Sequence, residues 1–113
     1  MPGATDDPAA LRALLARDAD ALVVAERDGT LAGSLIAGWD GWRGAFHRLA
    51  VVPSQRRHGI ATALVREGER RLRARGVRRL AVIVVGDEPH AIEFWTAMGY
   101  ERQRQRTRFV SAL

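Results

Sequence analysis

A strand, a helix and a second strand follow one another between residues 45 and 85, and this order admits few folds. Residues 45–52 form a strand that Pro53 ends, because proline cannot continue a hydrogen-bonded ladder. Residues 59–75 change to an apolar period of about 3.6, which predicts an amphipathic helix. Residues 80–85 (LAVIVV) are continuously apolar, which is typical of a strand covered on both faces. Because a helix joins the two strands, we expect them to be parallel neighbours.

The other predicted elements add antiparallel hairpins around this central parallel pair. We expect helices at residues 8–17 and 89–98, and strands at residues 21–26, 31–37, 100–104 and 107–110. Asp28 and Gly29 form the turn between the first two strands, since Asp-Gly suits a tight hairpin. The predicted order is αβββαβαββ, an α/β (α+β) fold with a mixed sheet.

The chain of 113 residues supports one hydrophobic core, so we predict a single domain over residues 1–113. Within it, residues 1–20 form an N-terminal arm and a short helix, and residues 21–110 form the core. The sequence contains no cysteine, which excludes a disulfide framework and a thiolate nucleophile. It has no signal peptide and no apolar run that would span a membrane, so we predict a cytoplasmic protein without membrane contact.

Arginine supplies all of the positive charge, because the 18 basic residues include no lysine. The net charge of +5 attracts polyanions, so phosphate-bearing ligands and nucleic acids both remain candidates. The arginines that favour nucleic acid are Arg66, Arg70, Arg71, Arg73, Arg75, Arg78 and Arg79. No recognised nucleic-acid motif accompanies them, and Glu67 and Glu69 dilute their field. Nucleic-acid binding is therefore the least favoured alternative.

The basic loop between Pro53 and the long helix has the composition of an anion site. The first N–H groups of a helix lack intrahelical partners, and the helix dipole adds positive potential there. Gly59 and Ala61 are small enough for a diphosphate to approach the backbone, and Arg56 and Arg57 add charge. A nucleotide-hydrolysing P-loop is excluded because it needs a lysine, and no Gly-x-Gly-x-x-Gly is present.

Two segments together resemble the GNAT superfamily of acetyl-coenzyme A-dependent N-acetyltransferases. Arg56, Gly59 and Ala61 match the family's Arg/Gln-x-x-Gly-x-Gly/Ala signature. Residues 91–100 (AIEFWTAMGY) are similar to its Ala-x-x-Phe-Tyr-x-x-x-Gly-Phe/Tyr stretch. The resemblance covers about residues 21–110 and implies that the cofactor is acetyl-coenzyme A (acetyl-CoA).

The resemblance also implies where the cofactor lies. The strand before the loop is expected to splay from the following parallel strand, and the pantetheine arm is expected to lie in the opening. The implied backbone contacts of this arm are Leu49, Ala50 and Val51. The residues implied to hold the phosphate groups are Arg56, Arg57, His58, Gly59, Ile60, Ala61 and Thr62.

The sequence departs from the family at the positions expected to act on the acetyl group and the acceptor. Trp95 stands where the family has a tyrosine acid, and an indole cannot take that role; we expect Trp95 in the acceptor pocket. Ala45 and Ile83 occupy the two positions where family members often carry a glutamate base. Glu88 replaces an asparagine, and with Asp87 it is expected to cap the last helix.

His47 is the first remaining candidate for a general base, since we expect it to share a strand face with Leu49 and histidine accepts protons near neutral pH. Asp40 is the weaker alternative. Trp39 and Trp42 either wall an acceptor pocket together with Trp95 or cover an exposed edge of the core.

The leading hypothesis is a transferase that moves acetyl from acetyl-CoA to a primary amine by direct attack, without an acyl-enzyme. The acceptor is a small molecule or a peptide. The alternative is a non-catalytic CoA-binding module, because the tyrosine and the glutamates are missing. Only one short helix precedes residue 21, whereas the family adds a strand and a helix there, so we predict a homodimer that covers the open strand edge.

Overall fold

The computed structural model describes residues 7–84, 86 and 88–113, which form a mixed α/β fold. The helices are α1 (Pro8–Arg17), α2 (Ile60–Ala74) and α3 (Pro89–Ala97), and the strands are β1 (Leu22–Arg27), β2 (Thr30–Trp39), β3 (Gly44–Val51) and β4 (Leu80–Val82). The sheet order is β1-β2-β3-β4, with antiparallel pairs except for the parallel pair of β3 and β4. The predicted order of elements is therefore confirmed as far as α3. No helix of the described residues is long and apolar enough to cross a membrane.

The β1–β2 hairpin turns at the predicted Asp-Gly pair. Asp28 and Gly29 have φ angles of 54° and 76°, the positive values that a tight hairpin turn requires. Because β1 and β3 both run antiparallel to β2, their carboxyl ends lie at the same edge of the sheet. The turn after β1 and the loop after β3 are therefore neighbours.

The core lies between the sheet and the two helices that pack on one of its faces. In α2, Leu64, Val65 and Leu72 are buried against the sheet, as the helical period predicts. Gly68 allows a close approach, because a Cβ atom there would lie 2.7 Å from the ring of Phe46. Helix α3 contributes Trp95, whose ring centroid lies 6.0 Å from that of Phe46.

Two arginines near the end of α2 hold the segment before β1. The guanidinium of Arg75 makes two hydrogen bonds of 2.8 Å to the buried carboxylate of Asp18. Arg71 donates to the main-chain oxygens of Asp20 and Leu22. These contacts join residues about fifty positions apart in the sequence, so they connect the segment before β1, and the start of β1, to α2.

Strands β3 and β4 are paired over only part of their length. The parallel ladder extends from Gly44 and Leu80 to Phe46 and Val82, while β3 continues to Val51. The expected strand over residues 80–85 therefore ends early: residues 83 and 84 lie outside the ladder, and residue 85 lies outside the described residues. The expectation that this strand is covered on both faces is wrong. Ile83 is 60% exposed, because both core helices lie on the other face.

The two strands predicted after α3 are absent from the structure, which describes all of residues 100–113 and has no strand there. Residues 101–108 alternate arginine with other polar or charged side chains and offer no apolar face to bury. Phe109 and Val110 follow, and they are 89% and 75% exposed. Without burial, the segment gains nothing that offsets the entropy of pairing it to β4.

Candidate functional site

A cavity of about 140 Å³ lies where β3 ends and α2 begins. Its lining residues are Val51, Gln55, Arg56, Arg57, Gly59, Ile60, Ala61 and Thr62. Most residues predicted to hold the phosphate groups thus come together, whereas Leu49, Ala50 and His58 do not line the cavity. A typical small-molecule site measures roughly 300–1,000 Å³, so this cavity suits a part of a ligand such as a diphosphate.

The loop turns sharply before the helix and leaves the helix N-terminus open. Arg57 and Gly59 adopt left-handed backbone angles, with φ values of 68° and 72°. Gly59 is the N-cap of α2, and because glycine has no side chain it makes no capping hydrogen bond to the helix N-terminus. The N–H groups of residues 60–62 have no intrahelical acceptor by helix geometry. They therefore form a set of donors beside the cavity.

The lining of the cavity suits an anion, and phosphate groups fit it. Arg56 and Arg57 supply positive charge from exposed side chains, and α2 adds the positive end of its dipole. No carboxylate lines the cavity among the residues that the structure describes. A Cβ atom on Gly59 would meet no protein atom within 4 Å, so the backbone is open to a ligand there.

The sequence did not identify two polar residues at this site. Gln55 lines the cavity from a short 3-10 turn over Pro53–Gln55. Arg27, at the end of β1, donates from Nη1 to Oε1 of Gln55 over 3.3 Å. Gln55 stands one position before the motif, so its place in the sequence could have identified it. Arg27 precedes it by 28 residues and carries no local signal.

A β-bulge shapes the open part of β3. His47 pairs with Ile36 and Ala50 pairs with Ser34, so both Arg48 and Leu49 stand opposite the single residue between those partners. Arg48 takes a φ of 59°, the left-handed value that a bulge tolerates. Beyond Phe46, β3 has no ladder partner on the β4 side in the described chain. Main-chain groups of this segment are thus available to a ligand.

The bulge also corrects the expected position of His47 relative to Leu49. His47 is exposed and shares its face with Ala50, whereas Leu49 packs against the buried core. The extra residue shifts the alternation by one, so His47 and Leu49 do not lie on the same face. The imidazole of His47 lies beside Gly38, where a Cβ atom would be 3.7 Å from Cδ2.

Trp95 belongs to an aromatic cluster within the core. Its ring makes edge contacts with those of Phe94 and Tyr100, at centroid distances of 5.1 and 5.0 Å. Tyr100 donates from its hydroxyl to the carboxylate of Glu69 over 2.7 Å. Burial, followed by this hydrogen bond, raises the pKa of Tyr100 well above its ordinary value. Tyr100 therefore holds its proton and is a poor replacement for the acid missing at position 95.

The hairpin tip between β2 and β3 lies far from the cavity, at the opposite end of β3. Asp40 accepts hydrogen bonds from the N–H groups of Arg43 and Trp42, and these bonds lower the pKa of its carboxyl group. Trp42 is 74% exposed and carries the guanidinium of Arg43 over its ring at 4.0 Å. Trp39 stacks with Arg75 at 4.9 Å instead.

The structure also places most of the remaining residues that the sequence analysis singled out. Glu88 caps α3 by accepting a hydrogen bond of 2.7 Å from the N–H of Ala91, as predicted, and Asp87 lies outside the described residues. Ala45 is half-buried and Ile83 is exposed. Within the described ranges, no group of histidine and carboxylate side chains is arranged to hold a metal ion.

Most of the arginines on α2 are paired with carboxylates. The pairs are Arg66 with Glu69, Arg70 with Glu67, Arg71 with Glu67, and Arg75 with Asp18. Hydrogen bonds from Arg70 and Arg71 lower the pKa of Glu67 to about 2. This pairing reduces the positive field of the helix, which weakens the case for nucleic-acid binding.

Comparison with known sequences defines the class of protein. The acetyltransferase (GNAT) family matches over residues 2–100, which include every strand and helix described above. The chain therefore belongs to the GNAT acetyltransferase family, as the resemblance of the two motifs predicted.

Two curated relatives are similar over most of this chain. An acetyltransferase of Sodalis glossinidius is 40% identical over 89 residues, which cover 79% of this chain and 63% of the relative. An uncharacterized N-acetyltransferase of Yersinia pestis is 38% identical with the same coverage. The aligned part of this chain thus spans about 63% of the length of these relatives.

A solved structure shares the fold. The aminoglycoside N-acetyltransferase AAC(6')-Iy, in complex with the bisubstrate analogue CoA-S-monomethyl-acetylneamine, superposes with a TM-score of 0.76 and 23% identity. The match covers 99% of this chain and 84% of that one. It confirms the predicted mixed fold.

Proposed function

We propose that this protein is an N-acetyltransferase that moves an acetyl group from acetyl-CoA to a primary amine by direct attack. The observation that carries the proposal is the cavity at the start of α2, where Gly59, Arg56 and Arg57 surround a set of open N–H donors. The family and the names of its curated relatives support acetyl transfer.

In the proposed complex, backbone groups do most of the binding. The N–H groups of residues 60–62 hold the diphosphate, and Arg56 and Arg57 add charge around it. The exposed edge of β3 at residues 49–51 takes the pantetheine arm. The cofactor supplies a thioester, which is the activated acyl group.

The chemistry of the chain's own residues favours direct transfer. The sequence has no cysteine to form a thioester with the enzyme, so the amine itself is the proposed nucleophile. An ammonium substrate must lose a proton before it attacks, and exposed His47 is the proposed base, with Asp40 the weaker alternative. Because a free thiol has a pKa near 8.5, its thiolate is a tolerable leaving group without an acid at Trp95.

Thermal unfolding tests the cofactor assignment. The protein is unfolded alone, with about 1 mM acetyl-CoA, or with ATP as the polyphosphate control. A dissociation constant of roughly 10 μM predicts about 2.7 kcal/mol of stabilisation. This corresponds to a rise on the order of 10–20 °C in Tm for a domain of this size. A rise with acetyl-CoA and little with ATP supports the proposal; no rise with either contradicts it.

The alternative is a CoA-binding module without catalysis, which the buried Trp95 and apolar Ala45 favour. Release of free thiol from acetyl-CoA in the presence of small amines, aminoglycosides and peptides separates the two functions. The acceptor of AAC(6')-Iy is of the aminoglycoside type, so this class belongs in the panel. Acetyl-CoA binding without turnover on any amine favours the module.

We also propose that the protein works as a homodimer in the cytoplasm. In the described part of the chain, β1 pairs only with β2 and is an edge strand of the sheet. Val24 of β1 is 47% exposed, and the unpaired main-chain groups of an edge strand favour pairing with a second copy. Light scattering at working concentration tests the dimer, and a monomeric mass counts against it.

A further inference from the structure

Arg27 and Gln55 come together at the edge of the loop cavity, from positions that the family motif does not include. Arg27 ends β1, and Gln55 lies in the turn that follows β3. Both strands present their carboxyl ends at this edge of the sheet, so the fold itself produces the contact. The hydrogen bond from Nη1 of Arg27 to Oε1 of Gln55 measures 3.3 Å.

This hydrogen bond decides which part of Gln55 is left for a ligand. A side-chain amide has one carbonyl oxygen and one NH₂ group, which accept and donate respectively. Because Arg27 occupies the oxygen, the NH₂ group remains as the donor of a residue that lines the cavity. Gln55 is half-buried, which limits its movement, whereas Arg27 is exposed.

Arg27 itself has unused capacity. A guanidinium has five N–H donors, and the bond to Gln55 uses one of them. Within the described residues Arg27 makes no ion pair, unlike Arg66, Arg70, Arg71 and Arg75 of α2. It is thus a cation beside an anion cavity, and it forms no ion pair with any described carboxylate.

We propose that Arg27 and Gln55 form a second wall of the cofactor site, which binds a phosphate group at the nucleotide end of CoA. The inference rests on the proposed function, because it assumes that CoA occupies the cavity. The NH₂ group of Gln55 donates to the phosphate, and Arg27 orients Gln55 while adding charge and further donors. Charge-assisted hydrogen bonds of this kind are the strong ones, and guanidinium suits phosphate geometry.

The test measures the affinity of each protein for CoA by calorimetry, without any need for turnover. Arg27→Met removes the charge and keeps most of the aliphatic stem, and we expect it to weaken CoA binding by about tenfold or more. Gln55→Glu keeps an oxygen for Arg27 but replaces the NH₂ donor with a negative oxygen, so its loss should be at least as large. Arg12→Met, in exposed α1, is the matched charge control and should bind within about twofold of the wild type.

Shortened ligands identify the phosphate. If Arg27→Met binds CoA more weakly but binds 3′-dephospho-CoA as the wild type does, the 3′-phosphate is the group that is bound. If both ligands lose affinity equally, it is the diphosphate. If the wild type binds CoA and both Arg27→Met and Gln55→Glu bind it equally well, this inference is overturned and the proposed function is not. A wild-type protein that does not bind CoA overturns the proposed function as well.

Discussion

The two ends of β3 differ in how they are built. At its carboxyl end, backbone N–H groups, a left-handed glycine and a short turn make a cavity that suits phosphate. Nearer its start, Phe46 packs on Trp95 within the core, and exposed His47 lies on the other face of the sheet. Binding by backbone leaves a pattern of small residues and turns. Catalysis by a single side chain leaves no comparable pattern in the sequence. The role of each candidate side chain near the start of β3 must therefore be tested separately.

The largest expected effect is at the cofactor end. Gly59→Leu should weaken acetyl-CoA binding by about 100-fold or more, equivalent to about 2.7 kcal/mol, because the added side chain projects into open space beside the N–H donors. The left-handed backbone adds a folding cost of roughly 1–2 kcal/mol. Calorimetry gives the affinity, and chemical denaturation gives the stability.

Gly76→Leu is the matched control for this variant. Gly76 follows the other end of α2, has a φ of 87° and likewise has no atom within 4 Å of an added Cβ. It should lose similar stability and keep its affinity. Equal affinity for acetyl-CoA in both variants would contradict the assignment of the cavity.

At the reacting end, His47→Gln tests the proposed base. The variant should lower kcat by about 100-fold while the affinity for acetyl-CoA stays the same, since the imidazole acts on the amine. His90→Gln, on exposed α3, is the control, and an unchanged rate in His47→Gln would exclude His47 as the base.

Between the two ends, Gly68→Ala probes the contact of α2 with Phe46. Alanine normally stabilises a helix interior by about 1 kcal/mol relative to glycine. Here the new Cβ would lie 2.7 Å from the Phe46 ring, which is fully buried, so we expect a net loss of roughly 1–3 kcal/mol. Urea unfolding measures it. Combining the change with Phe46→Leu should recover part of the loss, and simple additivity would mean that the two residues do not interact.

The smallest effect concerns Tyr100→Phe, which removes the hydrogen bond to Glu69 and should cost about 1 kcal/mol at neutral pH. Burial raises the pKa of Glu69, but hydrogen bonds from Arg66 and Tyr100 outweigh it, so this pKa lies below its ordinary value. Stabilisation from a lowered carboxyl pKa is present above the unfolded pKa and disappears as the pH falls through the folded one.

The difference in urea midpoint between Tyr100→Phe and the wild type should therefore shrink as the pH falls below the ordinary pKa of a glutamate. A Glu69→Gln background supplies the control, because it has no carboxylate to titrate. A difference that stays constant with pH would mean that the hydroxyl contributes only by packing.

Local patterns in the sequence were sufficient to predict the elements as far as α3 and most of the cavity lining. The apolar rows of α2, the Asp28-Gly29 turn and the stop at Pro53 each act within a few residues. The bulge at Arg48 was missed because it depends on how β3 pairs with β2, and it changed the face of His47. Arg27 was missed for the same kind of reason, since the sheet brings it to Gln55.

The two closing strands show a different failure. They were predicted at residues 100–104 and 107–110, although residues 101–108 are all polar. A period of two predicts a strand only when one of its faces has apolar side chains to bury. The early end of β4 has a related cause, because its ladder depends on where β3 diverges and not on the apolar run from Leu80 onwards.

The cations around the cavity, Arg27, Arg56 and Arg57, are all guanidinium groups, and this has a consequence for the protein's own chemical survival. A lysine ammonium in equilibrium with its free amine is a nucleophile, which the thioester of an acetyl-CoA molecule arriving from solution can acetylate. A guanidinium stays protonated in proteins and does not attack an acyl group. In the proposed complex, the site therefore meets a negatively charged acyl donor without offering it a side-chain amine, so its binding loop is not a target of acetylation.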